Sequence, residues 1–113
     1  MLVKRRQAAM QVAERLHCVE DAIDQALARA AEFNATLVTA RSDAGLSAIV
    51  GQDAFEGAVS AFAALARARG DIVETHRRLT ETKNLIGLRT LAMGDETTKP
   101  APGAQASPLR IVA

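Results

Sequence analysis

The sequence predicts an all-α protein: an antiparallel two-helix hairpin with coiled-coil-like packing, followed by a disordered tail. Three observations predict it. Residues 2–41 contain neither glycine nor proline. Apolar residues recur every seven positions in both halves of the chain. Residues that interrupt helices are concentrated at 42–53 and after residue 93. We therefore expect a helical domain over residues 1–93 and a tail over residues 94–113.

The first helix is predicted over residues 2–42 by two apolar rows at coiled-coil spacing. With Leu16 at heptad position a, the a row is Ala9, Leu16, Ile23, Ala30, Leu37 and Ala44, and the d row is Val12, Val19, Ala26, Phe33 and Ala40. Such a stripe is typical of a helix that packs along one side. We expect a solvated opposite face, made of Glu14, His17, Asp21, Asp24 and Arg41.

A turn is predicted between residues 42 and 53. Gly45 is suited to end the first helix in a left-handed C-cap. Asp53, followed three residues later by Glu56, has the spacing of an N-terminal capping pair. A second helix is therefore expected to begin near residue 53 and to run antiparallel to the first.

The second helix is predicted over residues 53–93 by one apolar row. That row is Ala58, Leu65, Ile72, Leu79, Ile86 and Met93. Gly57 and Gly70 lie inside the predicted helix, and each costs about 1 kcal/mol relative to alanine in a helix interior. A break near Gly70 would divide the hairpin into three helices.

A basic row alternates with the apolar row of the second helix and allows two interpretations. It consists of Arg69, His76 and Lys83. Polar residues in a packing row can fix register and partner choice, so this face is a candidate contact for an acidic or pH-sensitive partner. Alternatively, the core stripe rotates toward Val59, Ala66 and Val73, and the three cations flank it and extend outward.

Two further motifs involve histidine. Glu14 and His17 have the Glu-x-x-His spacing of half a di-iron site, but one copy on the side away from Leu16 does not favour a metal. His76 precedes Arg77 and Arg78, whose charges suit a phosphoryl group. A histidine phosphotransfer protein is therefore an alternative, and it requires an exposed His76.

The tail contains all three prolines of the chain, and its composition predicts disorder. Near residue 113 it becomes apolar again. Leu109, Ile111 and Val112 either contact a partner or belong to a tail that has no role. A short apolar motif on a tether is a common arrangement for docking.

Composition excludes several classes of function. A net charge of +1 argues against a protein that mainly grips nucleic acid. The single cysteine, Cys18, rules out an internal disulfide and favours a reducing, cytoplasmic compartment. We expect no membrane span, no metal and no cofactor, because no apolar run is long enough and no ligand set converges.

These patterns favour a small non-enzymatic protein–protein interaction module, such as an adaptor, a chaperone-like protein or a regulator. The aromatic fraction is only 3%, so one hairpin can build only a modest core. We therefore expect a homodimer that completes a four-helix bundle, or a hairpin that completes itself on a partner. Partner contacts are expected through the second helix and the tail.

Overall fold

A computed structural model describes residues 2–87 of the chain. Within that range the chain forms two helices and no strand: α1 over Leu2–Asp43 and α2 over Gln52–Leu85. The all-α prediction and the position of the turn are confirmed. The tail predictions, including Leu109, Ile111 and Val112, lie outside the described residues.

The end of α1 is a Schellman-type cap, as the position of Gly45 predicts. Gly45 has a φ of 69°, a left-handed conformation that glycine adopts without steric cost. Its N–H donates to Ser42 O at 3.0 Å, and Leu46 N–H donates to Arg41 O at 3.1 Å. These bonds satisfy carbonyls that the last helical turn leaves open. The Arg41 guanidinium donates to Leu46 O at 3.0 Å and fixes the turn further.

The helix α2 is continuous through Gly70, so the predicted alternative of three helices is wrong. The six residues before Gly70 are alanine, leucine and arginine, which are strong helix formers, and one glycine costs less than breaking the helix. The predicted end at residue 93 is also wrong, because α2 ends at Leu85. Gly87 has a φ of 87° and its N–H donates to Asn84 O at 3.2 Å, which closes the last turn.

The described chain divides into two compact units. The first combines α1 up to Glu20 with α2 from Asp71 onward, and the second is Asp21–Gly70. In the first unit, the beginning of α1 packs beside the last part of α2, and Arg5 donates to Ile86 O at 3.4 Å. The second unit is a helical hairpin that contains the turn. There Arg69 Nε lies 3.0 Å from Asp24 Oδ1 and joins the two helical segments.

The packed side of α1 differs from the predicted stripe by one residue. The a row from Ala9 to Leu37 is buried or half-buried, as predicted, whereas Ala44 beyond the helix is exposed. Four d-row residues are exposed, namely Val12, Val19, Phe33 and Ala40. The second packed row is instead the following one: Ala13, Glu20, Leu27, Asn34 and Arg41. The d-row prediction is therefore wrong for four of its five residues, and Ala26 is the half-buried one.

The hydrophobic core is small. Among the described residues, Ala13 and Leu16 are the fully buried apolar ones. The other fully buried side chains are His76 and Lys83. No helix in the described range has a stretch of the length and hydropathy needed to cross a bilayer.

Candidate functional site: a buried polar cluster and an apolar groove

A carboxylate and two imidazoles meet inside the first unit. Glu20 comes from α1, and one of its oxygens lies 3.5 Å from His76 Nδ1 on α2. Its other oxygen lies 3.3 Å from His17 Nδ1, one helical turn earlier on α1. The two rings meet edge to face, with centroids 6.3 Å apart and an interplanar angle of 82°. His17, Glu20 and His76 are hereafter called the polar cluster.

The position of His17 corrects the prediction of a solvated face. Its side chain is only 16% exposed, because it lies beside His76 and Glu20. Asp24, predicted on the same face, is half-buried and pairs with Arg69. Glu14 is exposed, as predicted. The one-residue shift of the packed side of α1 explains both errors, because it turns this flank of the helix toward α2.

Several polar atoms of the cluster are buried without a complete set of hydrogen bonds. His17 Nδ1, Glu20 Oε1 and His76 Nε2 have no hydrogen-bond partner within the described part of the chain. One carboxylate therefore lies between two imidazoles and close to both. Removing it is costly, because buried polar atoms then lose a nearby polar group. The cluster thus couples α1 to α2 at one register.

The cluster is not arranged as a metal centre. Residues 2–87 contain no group of three His, Cys, Asp or Glu side chains placed to hold a metal ion. Glu14, the other half of the Glu-x-x-His motif, is exposed while His17 faces the helix interface. Glu14 and His17 therefore do not converge on one ion.

The members of the basic row of α2 differ in burial. His76 is 5% exposed and Lys83 is 9% exposed, so both are buried. Arg69 is exposed and pairs with Asp24. The alternative stripe through Val59, Ala66 and Val73 is wrong: all three residues are exposed, Val73 at 58%. The contact role predicted for the row stays a prediction, and in the single chain only Arg69 lies at the surface.

The burial of His76 also bears on phosphotransfer. A phosphoryl acceptor must meet the donor's phosphate and active site, which requires an accessible ring nitrogen. His76 is buried, and its Nδ1 faces the carboxylate of Glu20. A negative charge at that position would repel the incoming phosphate. His76 therefore lacks the exposure that a histidine phosphotransfer protein requires.

The two cations after His76 hold a surface carboxylate instead. Arg77 donates to both oxygens of Glu74, at 2.6 and 3.1 Å, and Arg78 donates to Glu74 Oε1 at 2.9 Å. These hydrogen bonds, first that of Arg77 and then that of Arg78, lower the pKa of Glu74 below its ordinary value of 4.5. The site is exposed and joins residues of α2 alone.

The first unit also carries an open apolar groove. It has a volume of about 620 Å³. Its apolar lining comes from both helices: Val12, Leu16, Val19, Ile72 and Leu79. Gln11, Glu14, Arg15 and Thr75 supply the polar part of the lining. Val12 and Val19 belong to the exposed d row, so part of that row lines the groove.

The turn presents a second apolar surface, in the other unit. Leu46, Ile49 and Val50 are all exposed, Ile49 at 85%. Arg41 and Phe55 line a cavity of about 290 Å³ beneath the turn, together with Leu46 and Val50. Turns usually carry polar residues, so this tip is an unusual place for aliphatic side chains.

Sequence reasoning missed the polar cluster, although the signal was present. The row that follows the a row contains Glu20, Asn34 and Arg41, and its polarity made the d row look like the better packing row. The hairpin itself supplies the missing information. Residues equally far from the turn lie opposite each other in an antiparallel pair, which brings Glu20 and His17 near His76.

Comparison with known proteins adds no assignment: no protein family, no curated protein and no solved structure matches the chain.

Proposed function

We propose that the protein is a non-enzymatic helical interaction module that associates through the exposed d row of α1. Its first partner is a second copy of the chain, and the two copies form a four-helix bundle. The residues of this surface are Val12, Val19 and Phe33, together with the groove of the first unit. A reducing, cytoplasmic setting suits a chain whose only thiol, Cys18, is exposed and unpaired.

One observation carries this proposal: the d row of α1 is apolar throughout, and four of its five residues are exposed. Phe33 is 57% exposed, and Val12 and Val19 are exposed as well. Burying one such side chain contributes roughly 1.5–3 kcal/mol. A second helix laid along this row would bury several of them at once, which is the usual reason for a sustained heptad row.

The small core supports the same conclusion. Ala13 and Leu16 are the fully buried apolar residues in the described range, and the interior of the first unit is shared with His76 and Lys83. Buried charged and polar groups contribute little net stability. Association therefore supplies apolar burial that the single chain lacks.

The proposal places the partner surface on α1 rather than on the basic row of α2. His76 and Lys83 are buried beside α1, which leaves them no outward face in the single chain. Arg69 is exposed and stays a candidate for contact at the edge of the surface.

The homodimer is tested by light scattering on the purified chain. The expected mass is twice the 12.0 kDa of one chain. The V12K/V19K variant places two charges in the d row and is expected to be monomeric. The matched control is V3K/V38K, which changes two exposed valines of α1 outside that row. A monomeric wild type, or equal losses in both variants, would contradict the dimer.

The wider role as an interaction module is tested by affinity capture from native extract. Tagged wild type, V12K/V19K and V3K/V38K are compared side by side. We expect a defined protein to be captured by the wild type and by V3K/V38K but not by V12K/V19K. If the wild type and V12K/V19K captured the same proteins, the apolar surface would not be the binding surface.

A further inference from the structure

We infer that the tail segment 109–112, Leu-Arg-Ile-Val, binds in the groove of the first unit of its own chain. The groove is open and its lining is mainly apolar. Val12, Leu16, Val19, Ile72 and Leu79 line it, and Val12 and Val19 are exposed in the single chain. An open concave surface lined mainly by aliphatic side chains with a few polar groups is typical of a binding site.

The segment has the pattern that such a groove accepts. In an extended chain, alternate side chains point to the same side, so Leu109 and Ile111 would face one way. These two aliphatic side chains fit within the groove volume of about 620 Å³. Arg110 lies between them and would point toward the rim. No other part of residues 88–113 combines three large aliphatic residues within four positions.

The length of the connecting chain suits this site. Leu79 lies only about 9 Å along α2 from Leu85, and Ile72 about 20 Å, at 1.5 Å per residue. Residues 88–108 separate the described chain from the segment. Fully extended, 21 residues would reach about 70 Å, which exceeds both distances, so the segment is able to reach the groove. A tether that reaches its site raises the effective concentration of a weak motif.

The charged residues of the groove allow the orientation of the bound segment to be tested. Among residues 2–87, Glu14 is the acidic residue that lines the groove, and it is exposed. Its carboxylate is a suitable counter-charge for Arg110. Arg15 lines the same groove and has the opposite effect on Arg110. The two neighbours therefore provide a matched pair of positions for a test of the contact.

The consequence for regulation rests on the proposed function. Val12 and Val19 would contact either the tail or a second copy, but not both. The bound segment would then compete with dimerisation, and a change in the tail would alter the dimer fraction without touching the helices.

The contact is tested on the full chain by paramagnetic relaxation. Cys18 is the only cysteine, is exposed, and directly precedes Val19. A nitroxide attached there is expected to broaden the NMR signals of residues 109–112 strongly and those of residues 98–104 less. The control carries the label at Gln52 in a C18S/Q52C variant, about 35 Å along α2 from Thr75. Equal broadening across the tail with the label at Cys18 would overturn the inference.

A mixed sample separates binding within one chain from binding between chains. Spin-labelled chain without isotope is mixed with isotope-labelled chain without spin label. Strong broadening of 109–112 in that mixture would assign the groove to the tail of another copy and overturn the inference. The expected result is broadening only when both labels are on one chain.

Charge exchange tests the orientation. E14R is expected to reduce the docked population roughly two- to five-fold, the scale of an exposed ion pair. E14R/R110E is expected to restore it. R15E, the matched control, is expected to leave it equal or higher. Equal losses in E14R and R15E, without restoration by R110E, would contradict the proposed orientation.

The outcomes also separate this inference from the proposed function. A dimer that V12K/V19K disrupts, with no specific broadening of 109–112 at any protein concentration, overturns tail docking and leaves the module intact. A monomeric wild type with specific broadening overturns the dimer and supports docking.

Discussion

At the scale of single residues, Glu20 is the acceptor that holds the polar cluster together. It is the carboxylate that approaches both His17 and His76, at 3.3 and 3.5 Å. His76 is buried, so it cannot replace this contact with water. The cluster therefore links α1 and α2 through a single side chain.

The Glu20→Ala substitution is expected to lower the free energy of unfolding by about 1–3 kcal/mol, because buried His76 and half-buried His17 lose the carboxylate beside them. Urea denaturation measures it. Glu14→Ala is the matched control: Glu14 is exposed on the same helix, and its loss is expected to cost less than about 0.5 kcal/mol. Equal effects of the two substitutions would mean that the cluster contributes nothing beyond helix propensity.

Glu74 gives the molecule one defined pH response. Its pKa is lowered by Arg77 and Arg78, so its ionised form is favoured in the folded chain. The resulting stabilisation is present above the unfolded pKa and is lost as the pH falls through the lower folded pKa. In R77Q/R78Q, the pKa of Glu74 is expected to rise toward 4.5. An NMR titration of the side-chain carboxyl carbon measures it. R67Q is the control and should leave that titration unchanged.

At the scale of elements, the glycines of the chain fall into two kinds. Gly70 lies inside α2 with helical geometry, and a Cβ built there meets nothing within 4 Å. Gly45 has a φ of 69° in the cap of α1, where a side chain is strained whatever the space. The same substitution should therefore have opposite effects at the two positions.

Gly70→Ala is expected to stabilise the fold by about 0.4–1 kcal/mol, since alanine loses less backbone entropy in a helix. Gly45→Ala is expected to destabilise it by about 1–2 kcal/mol, because L-residues resist the left-handed conformation. Thermal unfolding of both variants beside the wild type measures the effects. A destabilised G70A would indicate that the helix needs flexibility or close approach at that point.

The elements also show how much of the fold the sequence determines. Both helices, the turn and the cap at Gly45 follow from glycine positions and heptad spacing, which are local signals. The end of α2 depends on Gly87, whose significance is clear only once its φ of 87° is known. The choice between the d row and the row of Glu20 depends on which side α2 occupies. Apolar periodicity favours the d row, and the fold of the single chain leaves that row exposed.

The same limit applies to the candidate site. The sequence indicated His76 and Lys83 as unusual members of a packing row, and the structure buries both. The sequence pattern predicted that His17 faces solvent. Its contact with His76 joins two helices, and residue spacing within one helix does not show such a long-range contact. Only the register of α1 against α2 brings the polar cluster together.

At the scale of the whole molecule, stability and association are expected to be linked. A partner that binds only the folded chain stabilises it by mass action. If two copies share the d row, the midpoint of thermal unfolding must rise with protein concentration. Each tenfold increase contributes about 1.4 kcal/mol per mole of dimer at 25 °C.

The V12K/V19K variant is expected to unfold at a lower temperature than the wild type and at a midpoint independent of concentration. V3K/V38K keeps the d row apolar and should retain the concentration dependence. Differential scanning calorimetry over a hundredfold concentration range distinguishes these outcomes. A wild-type midpoint that does not move over that range would show that the single chain is stable with its row uncovered. The apolar face would then have to be explained by a different partner rather than by a second copy.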